Sequence, residues 1–197
     1  MKYQLSHMAV TINVAEYIHK YRDVEKFIGY CKQCHSYNAC WACPPFDFDT
    51  TKLTNYKNAH IIGTKITLDH TLRNECTGSQ QCKDMSYQII KEVRCGLDNN
   101  LLAWESQYPD SRAFFAGTCY LCKQGECRRI FEKPCLHPAQ IRPSLESLGF
   151  DISKTTSQLL NTELKWGSQE RLPEYFVLVS GLFTNQDIES VIEEPIK

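Results

Sequence analysis

Long apolar segments are absent from this chain of 197 residues, and so is an excess of one charge. No stretch approaches the roughly 18 consecutive apolar residues of a membrane-spanning helix, so we expect no contact with the membrane interior. The 22 basic and 23 acidic side chains are mixed along the chain and leave a net charge of −1. A basic surface that would bind nucleic acid is therefore not expected.

The first residues also lack the features of a secretory signal. Polar residues, His7, Thr11 and Asn13, interrupt what would have to be a continuous apolar core, and no small-residue cleavage site follows. We therefore expect a cytoplasmic protein.

Familiar catalytic motifs are missing as well. The chain has no glycine-rich phosphate loop after a strand, no G-x-S-x-G turn and no H-E-x-x-H helix. Spacing alone does not pair any of its carboxylates as an acid and a base. The sequence therefore leaves open whether the protein is an enzyme.

Cysteine, by contrast, is plentiful, with 11 residues in the chain. A reducing compartment keeps thiols free, so a cysteine-rich cytoplasmic chain favours metal or cluster binding over disulfides. An odd number of cysteines also argues against a complete disulfide framework.

Eight of the cysteines lie in two loops. The first loop, within residues 30–48, reads Cys31-x2-Cys34-x5-Cys40-x2-Cys43-Pro44-Pro45. The second loop, within residues 117–138, reads Cys119-x2-Cys122-x4-Cys127-x7-Cys135. A C-x2-C unit turns both sulfurs toward one centre while backbone N–H groups stabilise their negative charge.

Zinc and an iron–sulfur cluster are the competing occupants of these loops. Structural zinc sites commonly separate their two ligand pairs by about a dozen residues or more, whereas the first loop separates them by five. Ferredoxin-type runs place a proline directly after a ligand cysteine, as Cys43-Pro44 does. These features favour a [4Fe–4S] cluster, one or two in number, with zinc as the alternative.

The two loops resemble a family of predicted metal-binding proteins, DUF2284. The resemblance rests on C-x2-C-x2-Y-x3-W-x-C-P-P in the first loop, and on G-x-C-x2-C, C-x-H-P and R-P-S-x-E later, and it spans most of residues 30–151. It implies metal binding by the cysteines and brings no activity with it.

The family pattern places no demand on Cys40, which makes it the doubtful ligand of its loop. The loop would then supply three ligands, Cys31, Cys34 and Cys43. A fourth ligand could come from His35, Cys76 or Cys82, or the fourth position could remain open. Four thiolates saturate a cluster and suit electron transfer, whereas an open iron suits an enzyme.

Several residues beside the loops have alternative roles. His137 could bind a metal, donate a hydrogen bond to a cluster sulfur, or only fix its loop before Pro138. Arg128 and Arg129 could balance an anionic cluster, contact an acidic partner, or be ordinary surface charges.

Three cysteines lie outside both loops. Cys76 and Cys82 could complete the first site or form a redox-active pair. Cys95 falls within a predicted helix, and we expect it in the core.

Periodicity predicts an α+β or α/β domain spanning residues 1–197, with a small sheet, flanking helices and the two cysteine loops. The predicted helices are 14–29 (N-cap Asn13, exit Gly29), 84–107, a short one from Ser144 to Gly149, and 152–164; the predicted strands are 59–68, 112–117 and 174–183. Residues 70–82 are predicted to be a loop, and the sequence strand, helix, strand from 59 to 117 suggests a parallel βαβ unit.

The sequence thus predicts a cluster protein that exchanges electrons with a protein partner. The second loop supplies Cys119, Cys122, Cys127 and Cys135 as ligands. A zinc-stabilised interaction module, and an iron–sulfur enzyme with an open iron in the first loop, are the alternatives.

Overall fold

The computed structural model describes residues 2–123, 125–167 and 171–188. It contains four strands, β1 (Tyr3–Asn13), β2 (Asn58–Leu68), β3 (Arg112–Phe114) and β4 (Tyr175–Thr184), and five α-helices, α1 (Val14–Tyr21), α2 (Val24–Cys31), α3 (His70–Glu75), α4 (Ser79–Gln107) and α5 (Ile152–Gln158). The α+β class predicted from the sequence is confirmed.

The four strands form one antiparallel sheet in the order β1-β2-β4-β3. β2 and β3 do run parallel to each other, as the βαβ interpretation requires, but β4 lies between them. The predicted parallel direction of the two strands is therefore confirmed, although they are not neighbours in the sheet. A sequence pattern cannot reveal that a strand from the far end of the chain inserts between two strands that are close in sequence.

The sheet has an apolar layer on each face, because successive residues of a strand point to opposite sides. Ile62 of β2 packs with Leu97 and Leu101 of α4 on one face. Ile61 packs with Tyr17 of α1 on the other face. β2 is buried along most of its length because it lies inside the sheet, whereas the edge strand β1 is mostly exposed.

The predicted helix at residues 14–29 is in fact two helices. The Asn13 side chain caps α1 by accepting hydrogen bonds from the N–H groups of Ala15 and Glu16 (2.9 and 3.3 Å), as predicted. The chain then leaves helical geometry at Arg22, and Asp23 caps α2. Gly29 lies inside α2, so the prediction that the helix ends there is wrong.

Other boundaries differ from the sequence prediction by a few residues. β3 ends at Phe114, α4 begins at Ser79, α5 ends at Gln158, and α3 replaces part of the predicted loop at 70–82. Between Ser144 and Gly149 the helix is a 3₁₀ turn, Glu146–Leu148, that ends at Gly149 with φ of 92°.

Among the described residues, no helix combines the length and the apolar character needed to cross a bilayer.

Candidate metal centre

The two cysteine loops begin at the ends of secondary-structure elements that the core holds in place. Cys31 is the last residue of α2, so the first loop leaves directly from that helix. The second loop follows β3, after Phe115 has formed a bridge to Ser144. Both loops therefore start from fixed points on the fold.

Arg129 of the second loop joins the two loops. Its guanidinium donates hydrogen bonds to the carbonyl oxygens of Cys40 (2.9 Å), Cys43 (2.6 Å) and Pro45. It also lies over the ring of Trp41, 4.9 Å from the centroid. The indole N–H of Trp41 donates to the carbonyl of Lys133 (3.1 Å). The proposal that Arg129 is an ordinary surface charge is therefore wrong, because its donors are used to hold the first loop.

A cavity of about 300 Å³ lies where the two loops meet. All four cysteines of the second loop line it, together with Cys40 of the first loop; the other lining residues include His35, Ser36, Tyr87, Thr118 and Ile130. One bound water needs roughly 15 Å³ by a comparable measure, so the cavity is far larger than a single ion requires.

Cys40 stands at the junction of the loops and is buried. Its sulfur accepts hydrogen bonds from the thiols of Cys119 and Cys43, which lower the pKa of Cys40. The same hydrogen bonds, together with burial, raise the pKa values of Cys43 and Cys119. Cys40 therefore connects the sulfurs of the two loops, a position that its sequence spacing did not indicate.

The remaining thiols of each loop are near one another. Burial raises the pKa of Cys122, and the charges of Cys127 and Cys135 raise it further. In the first loop, the charge of Cys34 contributes to the raised pKa values of Cys31 and Cys43, behind larger contributions from burial and, for Cys43, from Cys40. Within residues 2–123, 125–167 and 171–188, no three histidine, cysteine or acidic side chains form a preassembled site for a metal ion. The four cysteines of the second loop and Cys40 line the walls of the cavity instead.

Backbone N–H groups point at several of these sulfurs. The N–H of His137 donates to the sulfur of Cys135 (3.3 Å), and the N–H groups of Leu121 and Ala42 donate to Cys119 and Cys40. Such N–H···S bonds stabilise thiolates. His137 is thus tied to the site through its backbone.

The side chain of Arg94 in α4 fixes the start of the second loop. The side chain is only 1% exposed. It donates to the carbonyl oxygens of Ala116 and Thr118 (3.0 Å to Thr118) and makes a two-point ion pair with Asp98 (2.7 and 2.8 Å). Its sequence context, inside a helix stripe, gave no signal for this role.

The other cysteines do not join the site. Cys76, which follows α3, and Cys82 of α4 form a disulfide and are buried in the core layer that includes α4. This bond contradicts the idea that either completes the first site and the expectation that the chain keeps its thiols free, and it agrees with the alternative that these two cysteines pair with each other. Cys95 is exposed on α4, so its predicted place in the core is wrong.

A second cavity of about 440 Å³ adjoins the first. Cys135 and Ile141 line both cavities, and the second also has Trp41, Phe48, Arg112, Asp47, Glu132 and three prolines in its walls. Its size and its mainly apolar lining are typical of small-molecule sites.

Comparison with known protein families is consistent with a metal site built from these thiols. A family model described as predicted metal-binding protein (DUF2284) matches residues 6–183. The chain belongs to the DUF2284 family. Comparisons with curated proteins and with solved structures found no match. For this DUF2284 protein, metal binding is therefore the function to which the family description points.

Proposed function

We propose that this protein binds at least one [4Fe–4S] cluster through Cys119, Cys122, Cys127 and Cys135 and transfers electrons to or from a protein partner. The observation that carries the proposal is that all four cysteines line one cavity of about 300 Å³. Four thiolates are the usual ligand set of such a cluster.

The surroundings of these sulfurs fit an iron–sulfur cluster. A cluster spreads its iron atoms over several ångströms, so its ligands surround a volume rather than converge on one point. The N–H group of His137 donates to Cys135, and hydrogen bonds of this kind help to set the reduction potential of a cluster. The thiol ligands, the volume of the cavity and the hydrogen bond to Cys135 are therefore all compatible with a [4Fe–4S] cluster.

The position of the cavity supports exchange of electrons with another protein. The four ligand cysteines are only half-buried, so a cluster there would lie near the surface. Large apolar side chains of the same loop are exposed beside it: Leu121, Ile130, Phe131 and Leu136. Exposed apolar groups grouped in this way are typical of protein contact surfaces.

Purification without oxygen, followed by iron and acid-labile sulfide analysis, tests the proposal. We expect a brown protein with equal amounts of iron and sulfide, and Cys122→Ser should lose the cluster of the second loop. Cys95→Ser is the matched control, because Cys95 is an exposed thiol away from the cavity. A colourless protein that contains zinc and no sulfide would instead favour the zinc-stabilised interaction module, which chelation would unfold without a redox signal.

An iron–sulfur enzyme is the second candidate, because the adjoining cavity shares Cys135 with the first. A small molecule bound there would lie beside the cluster. Electron transfer to a redox protein without any added small molecule favours the first proposal. A strict requirement for an added small molecule would favour the enzyme.

A further inference from the structure

The edge strand β1 uses only half of its main-chain groups to pair with β2. The register between the two strands runs without interruption from Tyr3 to Asn13. At one end of the ladder the N–H of Val14 donates to the carbonyl of Lys57 (2.9 Å), and at the other end the N–H of Asp69 donates to the carbonyl of Lys2 (3.0 Å). Because hydrogen bonds in an antiparallel pair fall on every second residue, the even-numbered residues of β1 are the ones bonded to β2.

The odd-numbered residues of β1 therefore direct their N–H and C=O groups away from the sheet. In the central part of the strand these residues are Leu5, His7, Ala9 and Thr11. Within the described part of the chain, no hydrogen bond reaches their main-chain groups, and β1 has β2 as its one neighbour in the sheet. The outer side of β1 is thus an open row of donors and acceptors.

β1 also lacks the features that usually protect an edge strand. Proteins keep edge strands from pairing by making them short, by a bulge, or by proline and charged side chains. The strand at the opposite edge, β3, has only 3 residues. β1 has 11 residues, an unbroken register, and no proline, lysine, arginine, aspartate or glutamate. One edge of the sheet is therefore protected by its shortness, and the other is open to pairing.

We propose that β1 pairs antiparallel with β1 of a second copy of this chain, which joins two four-stranded sheets into one continuous sheet. Full overlap of the two strands places Tyr3 opposite Asn13 of the partner subunit and Met8 opposite Met8 of the partner subunit. Odd-numbered residues then face odd-numbered residues, so each outward N–H meets an outward C=O. This inference goes beyond the proposed function and does not depend on which metal binds.

A second copy fits this edge for two further reasons. Since β1 carries no lysine, arginine or acidic residue, the pairing brings no like charges of these residues together, and like charges opposite each other would weaken it. The pairing also offers up to about twelve main-chain hydrogen bonds, close to the number in a typical protein interface.

Analytical ultracentrifugation of anaerobically purified protein tests the proposal. We expect the wild type to sediment with twice the mass of one chain. Ala9→Lys, at an exposed position of β1, places two like charges near each other in the paired strands and should raise the dissociation constant roughly tenfold or more. Ser157→Lys, at an exposed position of α5, is the matched control and should remain dimeric. A monomeric wild type, or a folded Ala9→Lys that dimerises as tightly as the wild type, would overturn the proposal.

Amide hydrogen exchange measured by NMR tests the pairing without relying on a variant. In the dimer, the outward N–H groups of His7 and Ala9 should exchange as slowly as those of Met8 and Val10, which bond to β2. Fast exchange of the odd-numbered amides beside slow exchange of the even-numbered ones would show an open edge and reject the pairing. Slow exchange of both sets in a monomer would also reject it, because another segment of the same chain would then cover the edge.

Discussion

Arg129 of the second cysteine loop donates a hydrogen bond of 2.6 Å to the carbonyl oxygen of Cys43 in the first loop. The two residues are 86 positions apart in the chain. Because the same guanidinium also reaches Cys40 and Pro45, the shape of the first loop depends on a side chain of the second. The two loops therefore form one structural unit.

Replacing Arg129 should loosen both loops. Arg129→Gln removes hydrogen bonds from a charged donor, which are worth about 1.5 to 3 kcal/mol each. Because Arg129 is only half-buried and glutamine keeps an N–H donor, we expect the free energy of unfolding to fall by roughly 3 kcal/mol in total and the cluster content of both loops to fall. Urea unfolding and iron analysis measure the two effects. Arg128→Gln is the control in the same 3₁₀ turn, and an equal loss in both variants would contradict the specific role of Arg129.

Cys40 should be dispensable as a cluster ligand. Serine can replace its hydrogen bonds to Cys119 and Cys43, so Cys40→Ser should keep the iron and sulfide content of the wild type, whereas Cys119→Ser should not. Iron analysis of both variants is the measurement. Loss of the first-loop cluster in Cys40→Ser would restore a site of four thiolates there.

Gly149 and Gly29 should respond in opposite directions to alanine. Gly149 has φ of +92°, and a Cβ there would lie 2.8 Å from the Cα of Val24, so Gly149→Ala should lower the stability of the protein. We expect a loss of roughly 2 kcal/mol or more. A Cβ at Gly29 meets nothing within 4 Å, and alanine favours a helix, so Gly29→Ala should add about 0.5 to 1 kcal/mol. Thermal or urea unfolding decides, and a stable Gly149→Ala would reject the close approach of the 3₁₀ turn to α2.

Arg94 and Asp98 should be energetically coupled, since the two-point pair is mostly buried. Removing one partner of such a pair costs about 3 to 5 kcal/mol, because the other charge is left unpaired. We therefore expect Arg94→Met and Asp98→Asn each to lower the free energy of unfolding, and the double variant to lose less than the sum. Urea unfolding of the double-mutant cycle measures this. Strictly additive losses would show that the two side chains act independently.

His60 should make stability depend on pH. Its side chain is buried, its Nδ1 lies 2.8 Å from the Thr11 hydroxyl, and burial lowers its pKa below the ordinary 6.5. The unfolded chain therefore takes up a proton at a higher pH than the folded protein does. The contribution of His60 is complete above pH 6.5 and is lost as pH falls through the lower, folded pKa.

Urea unfolding between pH 7.5 and pH 5.5, a range of roughly one unit either side of the ordinary histidine pKa, tests this dependence. His60→Asn retains a polar atom for Thr11 and should reduce the loss of stability at the acidic end. His19→Asn, at an exposed histidine, should leave the slope of the wild type unchanged. Equal slopes in the wild type and His60→Asn would contradict the buried, neutral state of His60.

Local sequence determined the features that depend on neighbouring residues. The Asn13 cap, β2, β4 and the main part of α4 follow from side-chain periodicity and capping chemistry, which act over a few positions. The C-x2-C spacing is also a local feature, and it was enough to place the thiols in two loops. The family resemblance added metal binding to these motifs, and the family match is in agreement.

Tertiary structure decided everything that joins distant segments. The insertion of β4 between β2 and β3 and the contacts of Arg129 with the first loop link residues whose proximity exists only after folding. Sequence spacing carries no information on such contacts, because packing of the two apolar layers brings them together. The sequence alone therefore identified the thiols, whereas the fold showed that the two loops share one cavity.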